Sequence, residues 1–165
     1  MRKDQARRGQ FSSRSADADV LRHHCRMLSE RIVEWGEAAF REPATAGLLH
    51  TVEQDLGHRL PGELHELLAE TNGIEGEYGL GLLWSAERIA QDNAHFRSSE
   101  ELRDLYMPFE GLVFFADAGN GDQFAVSLSG NHEVYVWNHE DDSRTWVAAT
   151  ILGYLEGWLT GRLTV

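Results

Sequence analysis

The stretch PFEGLVFFADAGNGDQFAVSLSGNHEVYVWN, residues 108–138, constrains the fold more than any other part of the chain. It reads as three short β-strands joined by two tight turns. Phe124, Val126 and Leu128 alternate with Gln123, Ala125 and Ser127, the period-two pattern of a half-buried strand. Asn120-Gly121 separates LVFFAD from QFAVSL, and Gly130-Asn131 separates AVSL from EVYVWN. Both pairs tolerate the positive φ that hairpin turns demand. The chain therefore has an antiparallel meander at its centre.

Helical patterns surround that meander. Residues 17–41 predict an amphipathic helix, with Leu21, Cys25, Leu28, Ile32 and Trp35 at spacings of three and four. Pro43 and Gly47 break it. A second helix is expected over 45–56, with Leu48, Leu49, Val52 and Leu56 on one side and Gly57 closing it. Leu60-Pro61 opens a third, GELHELLAETNG, whose buried stripe is Leu64, Leu67 and Leu68 and which Gly73 follows. Tyr78–Trp84 predicts a first strand, softened by Gly79 and Gly81. Ser85 caps a short helix through Asp92, and Ser98-x-x-Glu101 has the form of a capping box before LRDLYM. After the meander come the loop HEDDSR, a strand TWVA, and a final helix from Thr150 that buries Ile151, Tyr154, Leu155, Trp158 and Leu159. Helices first, a meander, then a closing helix make an α+β domain. The expected parsing is a disordered basic leader over 1–16, an N-terminal helix over 17–43 and the α+β domain over 44–165.

A chain of 165 residues with 42% hydrophobic residues and only 3 prolines can bury a real core without disulfides or metal. No run approaches the roughly 18 apolar residues that a membrane helix needs. The start, MRKDQARRGQFSSRSADAD, is basic but lacks the apolar region of a secretory signal. With Cys25 as the single cysteine, no intrachain disulfide can form, so a reducing cytoplasm is the expected home. Charge is uneven. Residues 1–15 carry a balance of +4, which leaves −16 of the total −12 for residues 16–165. So acidic a domain repels nucleic acid and attracts basic surfaces, including those of nucleic-acid-processing proteins; no membrane partner is expected. Solubility alone is the other reading of that acidity.

The succession VEQDLGHRLPGELHELLAETNG, LLWSAERI, LVFFADAGNGDQFAVSL, EVYVWNHEDD and VAATILGYLEGWLTG resembles the SUKH superfamily, the Smi/Knr-type domain, from about Leu48 to Gly161. No one of these motifs is diagnostic, since LP and NG are common dipeptides; their order and spacing carry the likeness. The resemblance implies a twisted, mainly antiparallel sheet with helices packed around it. It also implies a non-catalytic role. Bacterial members of the family are widely immunity proteins that neutralise secreted polymorphic toxins, often nucleases or deaminases, and fungal members include a cell-wall and signalling regulator.

The residues themselves offer no catalytic or cofactor motif. His65-Glu66 begins like HExxH, but Ala69 stands where the second ligand belongs. His23 and His24 are adjacent on a helix and point about 100° apart, so no metal site is expected. Cys25 lies on an apolar stripe and reads as a core thiol. No GxSxG elbow occurs, and GEYGLG lacks the lysine of a phosphate loop. Asp117-Ala-Gly-Asn-Gly-Asp122 looks like a calcium loop at a glance, yet glycines occupy the alternating ligand positions, so a hairpin turn explains it better. The resemblance places this turn at a characteristic position of the family, which makes Asp117, Asn120 and Asp122 candidate partner-binding residues.

Two further segments carry binding chemistry. His139, Glu140, Asp141 and Asp142 follow a strand on which Trp137 faces away from Val136. An aromatic beside clustered carboxylates suits a protein partner, whereas a core Trp137 with a merely solvated loop is the alternative. Glu75, Tyr78 and Trp84 raise the same question after Asn72-Gly73. The expected partner is a protein, in the immunity reading a basic toxin domain, with no cofactor and no direct contact with nucleic acid. The alternative is a regulatory or scaffold module without a toxin. A third reading, an enzyme using Asp117 and Asp122, would need a carboxylate of raised pKa in a cleft.

Overall fold

The computed structural model describes residues 29–165. The expectations for the basic leader, for the N-terminal helix before residue 29 and for Cys25 lie outside the described residues. The chain runs from helical residues 29–35 (α1) through β1 (Ala39–Phe40), α2 (Ala46–Leu56), α3 (Gly62–Glu70) and β2 (Ile74–Glu75). A short 3-10 turn, Glu77–Gly79, leads to β3 (Gly81–Leu83), α4 (Ala86–Ser98) and α5 (Glu100–Leu105). The meander follows as β4 (Leu112–Asp117), β5 (Gln123–Ser127), β6 (Val134–Trp137) and β7 (Arg144–Ala148), and α6 (Ile151–Leu159) closes the domain. The α+β class is as expected.

The strands form two antiparallel sheets, β1-β2-β3 and β4-β5-β6-β7. One backbone bond joins them just past β3, where Trp84 N–H donates to the Phe115 carbonyl at 2.7 Å. Helix α4 is stitched to the same strand from a different side. Buried Asn93 donates to the Phe114 carbonyl at 2.8 Å and accepts from the Phe114 N–H at 2.9 Å. A polar side chain thus replaces a missing strand partner beside the β4 irregularity at Phe114/Ala116.

Helix ends follow local chemistry. Thr45 and Ser85 accept from the N–H groups of Leu48 and Arg88, and Gly57 at φ 74 ends α2. Each such side-chain cap contributes about 1 kcal/mol. The closing helix has a second, distant cap. The Glu63 carboxylate on α3 accepts from Ile151 N–H at 2.8 Å and Leu152 N–H at 3.0 Å, which also sets a negative charge at the positive end of α6.

Several boundaries differ from the sequence reading. The first helix stops at residue 35 instead of 41. Gly36 lies against Leu159, and Ala39 and Phe40 pair with Glu75 and Ile74. Sheet pairing over a distance of more than thirty residues overrides the local helical pattern. Ile32 is fully buried, so α1 packs on the domain. Helix α3 ends at Glu70, because Thr71 is extended and its hydroxyl bonds the Arg41 and Gly73 carbonyls. The strand expected over Tyr78–Trp84 shrinks to Gly81–Leu83, and β2 was not foreseen. Helix α4 runs on to Ser98, so the next cap is Ser99, whose hydroxyl accepts from Leu102 N–H. Strand β5 is buried on both faces at Phe124, Ala125 and Val126. In the turns, the left-handed positions are Gly119 and Gly121, then Gly130 and His132, and not the two asparagines.

Candidate functional site

Strand direction brings three loops to one end of the molecule. The β4–β5 turn, 118–122, and the β6–β7 loop, 138–143, leave the same end of the four-stranded sheet. The loop 76–80, between β2 and β3, joins them from the smaller sheet. Leu80 reaches to 3.5 Å of where a Cβ on Gly119 would lie, and Gly81 lies directly beneath the Asp117 carboxylate. The second approach requires glycine: a Cβ on Gly81 would meet Asp117 Oδ2 at 2.7 Å and Trp84 Cδ1 at 2.9 Å.

Asp122 ties the central turn to the third loop. It is 5% exposed, and its Oδ1 accepts from the His139 backbone N–H at 3.1 Å and contacts His139 Nδ1 at 2.7 Å. Its Oδ2 accepts from Asn120 Nδ2 at 3.0 Å, while Asn120 Oδ1 receives the Asp122 N–H. Burial raises the Asp122 carboxyl, but hydrogen bonds from His139 and Asn120 outweigh it and hold the group below the ordinary aspartate range. A general acid needs the opposite shift. The His139 ring packs over Gly121, whose absent side chain leaves it room.

The remaining candidates divide into inward and outward groups. Trp84 and Trp137 are buried, at 2% and 4% exposure. Trp137 sits among Phe96, Tyr106, Phe109 and Phe114 in edge-on ring contacts, and its Nε1–H donates to Asp142 Oδ1 at 2.8 Å. Asp142 also accepts from Met107 N–H at 2.7 Å. Its carboxylate therefore holds the fold together rather than facing a partner. Asp117 is half-buried and bonded to Arg88 through both oxygens at 2.8 Å. Glu75 pairs with Arg41.

Outward stand Tyr78, Glu77, Asn120, Glu140 and Asp141. Tyr78 is 98% exposed and left-handed, at φ 57. The Asp141 carboxyl is held low by the Ser143 hydroxyl and N–H. Residues 29–165 carry 24 Asp and Glu against eight Arg and no Lys. Arg41, Arg88 and Arg162 pair with carboxylates, and Arg97 and Arg144 bond backbone carbonyls. The exposed charged side chains of the three loops are the acids Glu77, Glu140 and Asp141, which give this end a negative bias.

Sequence reasoning missed Arg88 and Leu80. The i,i+4 spacing of Arg88 and Asp92, bonded at 3.1 Å, was a legible signal for the first. Its reach to Asp117 depends on how α4 lies across the sheet. Nearby Tyr154 is fully buried and donates to the Leu82 carbonyl at 3.3 Å; burial, then the Asp117 charge, push its phenol well above the ordinary range. Among the described residues, no group of three His, Cys, Asp or Glu side chains could hold a metal ion. No described helix is long and apolar enough to cross a membrane.

A family model described as SMI1-KNR4 cell-wall, of the SUKH group, matches residues 46–155, two thirds of the chain. No curated protein matches it.

Proposed function

The chain belongs to the SMI1-KNR4 (SUKH) family, and from that membership we propose that it is a non-catalytic protein-binding domain, an immunity protein that holds a cognate toxin. One observation carries this reading: the loops 76–80, 118–122 and 138–143 lie at one end of the domain, where Tyr78, Glu77, Glu140 and Asp141 are exposed. Such a surface suits a basic active-site cleft of the kind that receives nucleic acid. The toxin is then neutralised by occlusion in the cytoplasm, with no chemistry performed by this chain.

The test is affinity capture from cells that express the neighbouring reading frames, followed by binding at increasing salt. A tight complex with a basic toxin domain, weakened by salt and protective of cells, supports the reading. Charge reversal at Glu140 and Asp141 that leaves such a complex unchanged removes it. The description of the matching family as cell-wall favours a second reading, a regulatory or scaffold module without a toxin. Capture of signalling or cell-wall proteins alone would favour that one.

A further inference from the structure

Tyr78 is the most exposed large hydrophobic side chain among the described residues, at 98%, and its backbone is left-handed at φ 57. A bulky residue is strained there, and strain of this kind gathers where a side chain must be presented. The loop around it is tightly held. Gly76 N–H donates to the Leu80 carbonyl at 2.9 Å, Gly79 N–H to Gly76 at 3.2 Å and Leu80 N–H to Glu77 at 3.2 Å. A Cβ on Gly76 would strike Leu82 at 2.8 Å, and Gly81 is wedged against Asp117 and Trp84. Beneath it, the Arg88 guanidinium lies 4.0 Å from the Trp84 ring centre and grips Asp117. The ring is therefore offered to solvent from a pre-ordered base, which lowers the ordering cost of using it.

Resting on the protein-binding reading above, we propose that Tyr78 is the anchor of that interface. It enters a slot on a basic protein partner whose walls are Arg or Lys side chains. The charge around the ring selects that chemistry. Glu77 is exposed beside it, and residues 29–165 carry a net −16. Cations stack on an aromatic face while their neighbours meet the carboxylates.

Two substitutions separate anchoring from folding. Tyr78→Gly removes the ring and relieves the backbone, so the fold is kept; Tyr78→Phe retains the ring. The probe is p-benzoylphenylalanine placed at position 78 of the full chain in its native cells, with position 141 as a second site. The crosslinked protein is then purified and titrated against each variant. The expected result is a crosslink from position 78 to an Arg- or Lys-bearing segment, with affinity lowered about 30-fold or more by Tyr78→Gly and within about threefold by Tyr78→Phe. If Tyr78→Gly stays within threefold while Asp141→Lys weakens the complex, the anchor is overturned and the acidic interface stands. If neither position crosslinks a basic protein, both are overturned.

Discussion

Arg88 holds Asp117 through two hydrogen bonds of 2.8 Å, although the two residues lie 29 positions apart. The same guanidinium covers the Trp84 ring and reaches Asp92. The pair thus locks helix α4 to the end of β4 beneath the loop that carries Tyr78. Lysine cannot supply this planar fork. Arg88→Lys should lower stability by about 1 kcal/mol, a figure kept small because the Arg88 side chain is 42% exposed and solvent screens it. It should also loosen the 76–80 loop. Urea unfolding measures the first effect and amide exchange at Leu80 the second; unchanged exchange would separate the clamp from the loop.

Asn93 offers a sharper loss. Its amide meets both the N–H and the carbonyl of Phe114 in a site with 1% exposure. Asn93→Leu leaves both backbone groups buried without a partner, and should cost about 2–4 kcal/mol. A urea midpoint within experimental error of the wild type would show that water or a shifted strand satisfies Phe114.

Asp122 predicts an acid-limb effect with a definite sign. Its folded pKa lies below the ordinary value of about 3.9, because His139 and Asn120 bonds outweigh burial. A depressed carboxylate stabilises the fold fully above the unfolded value. That contribution falls as pH drops below it and is gone beneath the depressed native value. Wild type should therefore lose more stability between about pH 5 and pH 2 than Asp122→Asn does. Thermal melts across that range check it, and parallel curves for the two proteins would remove Asp122 as a contributor.

Glu63 closes the N-terminus of α6 from across the domain. Glu63→Ala should destabilise by about 1–2 kcal/mol, and Glu63→Gln by less, since the amide oxygen still accepts one bond. Chemical denaturation of the two variants gives the order. Equal losses would assign the effect to charge alone.

The elements most legible in the chain were those with local causes. Thr45, Ser85 and Thr150 mark helix starts because their hydroxyls reach N–H groups three residues away. The meander showed itself through alternation and glycine turns, and β4, β5 and β6 stand where they were expected. Residues 39–40 and 74–75 were illegible because two-residue strands have no period; 39–40 pair only with 74–75, which in turn pair with 81–83 as well. The binding candidates split for a related reason. Alternation said that Trp137 faces away from Val136, but not that Phe96, Tyr106 and Phe109 fold over it.

Local chemistry thus settled the α+β class, the order of the main elements, the family and the acidic charge, since each depends on neighbouring residues or on composition. Which carboxylates turn inward was settled by packing. Asp122 and Asp142 bond groups 17 and 35 positions away, whereas Glu140 and Asp141 remain exposed. The reason is physical: a hydrogen bond across the fold depends on where helices and strands come to rest, and a one-dimensional pattern carries no such distances.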